Sequence, residues 1–101
     1  MITVIASIRV KAGKIEAFLD IMKANLPYVL QEEGCIEYSP TVDLETGLPT
    51  QRLDANVVTL VEKWESVECL HAHLKAPHIA AYRAKTKDMV EEMTIRVLKR
   101  A

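Results

Sequence analysis

Residues 56–82 read NVVTLVEKWESVECLHAHLKAPHIAAY, and within this stretch a strand hands over to two helical pieces. Asn56 to Trp64 is rich in Val and Thr, the residue types that suit a pleated, half-buried strand. Ser66 then offers its hydroxyl at the N-cap of a helix over Val67 to Leu74, with Glu68 in the first turn where the dipole favours an acid. Pro77 has no N–H to lose at a helix start and opens a second piece, in which Ile79, Tyr82, Thr86, Met89 and Val90 share a face. The only tryptophan and all three histidines of the chain fall inside this stretch. A strand end followed by helix starts makes a natural rim for a pocket.

Outward from there, residues 2–10 alternate, with Ile2, Val4, Ala6, Ile8 and Val10 on one face and Thr3, Ser7 and Arg9 on the other, a strand pattern that Gly13 ends. From Lys14 to Gln31 the set Ile15, Phe18, Leu19, Met22, Leu26, Val29 and Leu30 follows the spacing of an amphipathic helix, and Gly34 stops it. Pro27 inside that helix predicts a kink. Residues 35–43 read as a second strand, which Pro40 assigns to a sheet edge. Residues 44–55 form a longish polar loop around Gly47 and Pro49, a hairpin excursion or a flap, and Met93 to Lys99 is the last strand. The order β-α-β-β-α-β is the ferredoxin-like split pattern of the α+β class: an antiparallel sheet with helices on one face. Val57, Thr59 and Val61 leave the other face short of polar groups, which predicts sheet-to-sheet dimerisation.

With 101 residues the chain fits one domain spanning 1–101, small enough for a partner subunit to help bury apolar surface. Thirteen basic against 14 acidic residues give a formal net charge of -1, so the basic field that nucleic acid or an anionic membrane requires is missing. The start, Met1-Ile2-Thr3-Val4, has no charged leader, and no run approaches the ~20 apolar residues of a membrane span. The expected location is cytoplasmic. Cys35 and Cys69 lack C-x-x-C spacing and are expected as reduced, half-buried thiols.

Trp64, Ser66, Leu70, His73, Leu74, Pro77, His78 and Tyr82 spell W-x-S-x3-L-x2-H-L-x2-P-H-x3-Y. This pattern resembles the antibiotic biosynthesis monooxygenase superfamily, with its likeness running to bacterial quinol monooxygenases. Thr3 to Ala6, Val29 to Cys35, Tyr38-Ser39-Pro40, Val42-Asp43 and Glu91 to Leu98 add to it. The resemblance implies a dimeric α/β barrel of two ferredoxin-like subunits, each with a pocket between sheet and helices. It also implies oxidation of quinols or electron-rich aromatics by O2 without metal, flavin or haem. Superfamily members that degrade haem use an asparagine and a histidine where this chain has Ile8 and Arg83. Aromatic polyketide oxygenases place an asparagine where Leu60 stands. Relatives that process a phosphorylated signalling sugar share P-H-x3-Y, so an isomerase is the rival reaction class, and a non-catalytic ligand-binding stress-response module is the rival outside catalysis.

A hydroquinone is far easier to oxidise once deprotonated, so a base and an apolar cage suffice. The candidate bases are His73, His78 and Glu62. Trp64 and Tyr82 offer flat area for a ring, and Tyr82 adds a hydroxyl. Each has a purely structural alternative. Trp64 could anchor the core; Glu62 shares its face and could pair with Arg83 or Arg96; His78 could cap its helix or face water. Helical geometry sets His73 about 100° from the centre of the Val67, Leu70, Leu74 stripe, with His71 nearer to it as a core or rim histidine. Two histidines two apart, with Pro77 breaking the register before the third, do not make a metal set.

Overall fold

The computed structural model describes residues 1–101, in the order β1 (Ile2–Val10), α1 (Ile15–Leu30), β2 (Cys35–Thr41), β3 (Val57–Trp64), α2 (Val67–Leu74), α3 (Pro77–Thr86) and β4 (Val90–Leu98). The strands form one antiparallel sheet in the order β2-β3-β1-β4. This is the ferredoxin-like arrangement of the α+β class.

Alternation builds the core. Val4, Ala6, Ile8 and Val10 of β1 and Val58, Leu60, Glu62 and Trp64 of β3 all point to the helix side and are buried. Against them α1 sets Phe18, Met22 and Val29, positions spaced by four and seven as one helical face demands. The helix runs on through Pro27. Pro40 lies in β2, an edge strand, where its missing donor costs no pairing.

Local chemistry sets the handover that follows β3. The Ser66 hydroxyl accepts the Cys69 amide at 3.2 Å and caps α2. Ala76, ahead of Pro77, is held extended at ψ 140, as the proline ring requires, and α3 begins at once.

Several expectations need correction. β4 begins at Val90, three residues before Met93, because a register shift at Arg9/Val10 lets Val90 pair with Val10. β2 ends at Thr41, whose hydroxyl binds the Thr59 carbonyl at 2.6 Å as the chain turns away. Residues 44–55 hold no paired strand. They are pinned by Asp54, which binds Arg9 at 2.6 Å and the Asn56 amide at 2.9 Å.

The sheet face away from the helices is also more polar than expected, since Arg9, Glu37, Lys63, Glu92 and Arg96 share it with Ile5, Val57, Val61 and Leu98. The apolar surplus lies on the helix side instead. Met93, Ile95 and Val97 pair with Ile8, Ala6 and Val4, yet stay 44–48% exposed because no helix reaches over β4.

Candidate functional site

Between the sheet and α2 and α3 lies a cavity of about 350 Å³. Its floor comes from the inward residues of the strands, Ile8, Tyr38, Leu60 and Glu62, and its walls from His73, Leu74, Ile79 and Tyr82. Arg83, Thr86, Lys87, Val90 and Met93 complete it toward β4. The size suits a ring or a fused ring pair, and an apolar wall with a few convergent polar groups is what a small-molecule site needs.

His73 is the best-held of those polar groups. Its ring is 3% exposed, lies 4.7 Å from Trp64 and 5.4 Å from Tyr38 between centroids, and gives Nδ1 to Glu32 Oε2 at 2.8 Å. A carboxylate accepts, so Nδ1 carries a proton, and in the neutral ring Nε2 keeps its lone pair. Every fully buried side-chain polar atom of the chain has a partner. Nε2, which has none, is therefore not fully buried, and the residue it belongs to lines the cavity.

Glu62 is 5% exposed and receives the Trp64 indole N–H at 2.9 Å on one oxygen, leaving the other to the cavity. Burial pushes its carboxyl above the ordinary range, while the Trp64 hydrogen bond and the neighbouring His73 pull it part of the way back. Burial likewise raises both cavity phenols, Tyr82 to about 12 and Tyr38 well above the usual phenol value. Both therefore stay hydroxyl donors at any physiological pH.

The expected site residues thus divide. Glu62, His73 and Tyr82 meet around one cavity. Trp64 is fully buried and lies beneath His73 as a core anchor and hydrogen-bond donor, away from the cavity surface. His78 does not line the cavity either. Its Nε2 meets Glu32 Oε2 at 2.9 Å, and its ring stacks on Tyr28 with centroids 5.9 Å apart. The proposed pairing of Glu62 with Arg83 or Arg96 is replaced by the Trp64 bond, and Arg96 faces the other side of the sheet opposite Ile5.

His71 and His73 are exchanged relative to the helical-wheel reading. α2 rests on Leu70 and His73, while Val67 is 43% exposed and His71 faces water. No three His, Cys, Asp or Glu side chains are arranged to hold a metal ion. Two residues escaped the sequence reading. Tyr38 carries the inward phase of an edge strand next to Glu62, which alternation could have indicated. Glu32 lies in the turn after α1, 41 residues from His73, and no local signal marks it.

Comparison with known proteins gives a consistent set. Residues 1–85 match the sequence profile of a family described as antibiotic biosynthesis monooxygenase. An Escherichia coli (strain K12) protein described as "Probable quinol monooxygenase YgiN" is 43% identical over 97% of this chain and 96% of its own length. A conserved protein from Methanosarcina mazei Go1 superposes with a TM-score of 0.85 at 25% identity, over 99% of this chain and 92% of its own. A Shewanella oneidensis protein gives 0.80 at 26% identity, over 96% and 87%.

Proposed function

The chain belongs to the antibiotic biosynthesis monooxygenase family and is a monooxygenase, and on that premise we propose that it oxidises a quinol or similarly electron-rich aromatic with O2, using His73 as base. The observation that carries this reading is a buried, Glu32-anchored imidazole whose Nε2 has no protein partner, lining an apolar cavity together with the Glu62 carboxyl. The name of the E. coli relative adds support for a quinol.

In this reading the substrate hydroxyl gives its proton to His73 Nε2, and the resulting anion transfers an electron to O2. A quinol brings all the electrons required. Hydroquinone plus O2 becomes hydroxyquinone plus water, with one oxygen atom bonded to the ring and the other reduced, so no flavin, haem or metal is needed. Tyr38 and Tyr82 donate hydrogen bonds to substrate oxygens, and Ile8, Leu60 and Ile79 keep the ring dry, where each such bond counts for more than in water. Glu62 faces the imidazolium that forms, and its negative form stabilises that cation.

We further read the protein as a single-domain homodimer, supported by the exposed apolar row Met93, Ile95 and Val97 beside the cavity. No helix is long and apolar enough to cross a membrane. Cys35 and Cys69 are both free thiols, which suits a reducing compartment such as the cytoplasm. Isomerisation of a phosphorylated sugar fits less well. Arg83 and Lys87 could meet a phosphate at the cavity edge, but the apolar interior offers few partners for sugar hydroxyls.

Oxygen uptake by chelator-treated protein against a panel of hydroquinones and phenols tests the reading. Catalysed uptake with a hydroquinone, with label from ¹⁸O2 in the product, is the expected outcome. A preparation inert toward the whole panel but able to rearrange a phosphorylated keto sugar would replace it.

A further inference from the structure

His73 is buried in the cavity wall, and its Nδ1, on the other side of the ring from the reacting Nε2, leads through Glu32 toward the surface. We propose that Glu32 and His78 form a proton exit leading from His73 to the surface. The inference rests on His73 being the base and extends it to two side chains that never touch the substrate.

One carboxylate oxygen, Glu32 Oε2, joins both imidazoles, at 2.8 Å to His73 Nδ1 and 2.9 Å to His78 Nε2. Exposure rises along the line, with side chains 4% accessible at His73, 14% at Glu32 and 24% at His78. The chain of donors and acceptors therefore begins in the cavity and ends at solvent. Both rings are also held in register, His73 by Trp64 and Tyr38 and His78 by Tyr28. The second imidazole on the same oxygen extends the His73–Glu32 pair toward the surface.

The transfer balances without a further reactant. The substrate O–H bond breaks and its proton binds His73 Nε2, while the proton on Nδ1 moves to Glu32 Oε2. Because a carboxylate accepts, the resting His78 donates its Nε2 proton to Glu32, so the ring first exchanges through water to its Nδ1–H tautomer; its bare Nε2 then takes the Glu32 proton and its Nδ1 releases one to water. The same line runs inward when the second oxygen atom leaves as water and a proton must return. Glu32 and His78 are thus positioning and relay residues, and of the three only His73 meets the substrate.

The test uses the full-length protein with 1,4-naphthohydroquinone as probe, in weak buffer. Both Glu32→Gln and His78→Ala should lower kcat roughly tenfold or more, with KM little changed. Free imidazole should restore His78→Ala in proportion to its concentration and leave Glu32→Gln low. A merely structural role for His78 gives no such buffer dependence. Wild-type kcat in either variant, or a loss in His78→Ala that imidazole does not touch, overturns the exit.

Full activity of His73→Ala instead overturns the base assignment, and the exit with it. An arm independent of turnover reads the wiring directly, since ¹⁵N NMR of the resting protein should find the His73 proton on Nδ1 and that preference weakened in Glu32→Gln. A His73 proton on Nε2 overturns the proposal.

Discussion

At the scale of single residues, Glu62 is buried and receives one hydrogen bond, from the Trp64 indole. Burial raises its pKa in the fold, so at a pH between the unfolded and folded values the folded state holds a proton that the unfolded chain has already released. Stability from this group is thus fully present below the unfolded value near 4.5 and falls as pH rises toward the folded value. Glu62→Gln has no such dependence. Thermal melts should show the variant gaining on wild type as pH rises from the unfolded value, and a gap that stays constant or narrows would contradict the assignment. Trp64→Phe leaves a buried carboxyl oxygen without its donor, at a cost of about 1–3 kcal/mol. Because the lost bond had lowered the Glu62 pKa, the stability fall of this variant should extend to higher pH. Melts in which Trp64→Phe and wild type share one pH profile would rule the pairing out. The tryptophan and the strand phase of Glu62 were legible in the sequence, but their bond was not. The choice between His71 and His73 also escaped the helical wheel. Val67, Leu70 and Leu74 suggested a stripe, whereas Glu32 supplies a half-buried carboxylate partner that makes His73 the better residue to bury.

At the scale of elements, the turn between α1 and β2 positions Glu32 and is itself held by Gly34. That glycine adopts φ +78, its carbonyl accepts the Glu65 amide at 2.9 Å, and a Cβ there would run into Cys69 Sγ. Gly34→Ala should cost roughly 1–3 kcal/mol from backbone strain alone, lowering Tm by about 4–8 °C per kcal/mol in a chain of this size. Adding Cys69→Ala should recover only the part due to Sγ, since the positive φ and the 2.9 Å approach to the Cys69 Cβ remain. Full recovery in the double variant would mean that the backbone carries no strain. Ser66→Ala should cost about 1 kcal/mol through loss of the α2 cap, and an unchanged Tm would argue against it. These helix signals are local, so Ser66 and Pro77 announced their elements to the residue. The start of β4 was missed because Val90 joins the sheet through a register shift against Val10, a long-range pairing that periodicity within the strand cannot report. Glu32 was missed for the same reason, as its partners lie 41 and 46 residues away.

At the scale of the whole molecule, β4 leaves Met93, Ile95 and Val97 open on the helix side and borders the cavity at Val90 and Met93. A row of this kind is costly in water and gains roughly 25 cal/mol per Å² when covered. The homodimer reading predicts a sedimentation mass of two chains at micromolar concentration and a shift toward one chain in Ile95→Glu; a wild-type monomer would refute it. The central claim is that a buried imidazole, wired by Glu32 and lining this cavity, removes the proton that lets a quinol react with O2. Its most direct test is oxygen uptake by His73→Ala and wild type on one hydroquinone across a range of pH. The account predicts a kcat lower by roughly 10² near neutrality, with the deficit shrinking at high pH as the substrate ionises unaided. A folded His73→Ala protein that keeps the wild-type rate, or loses the same factor at every pH, would contradict it.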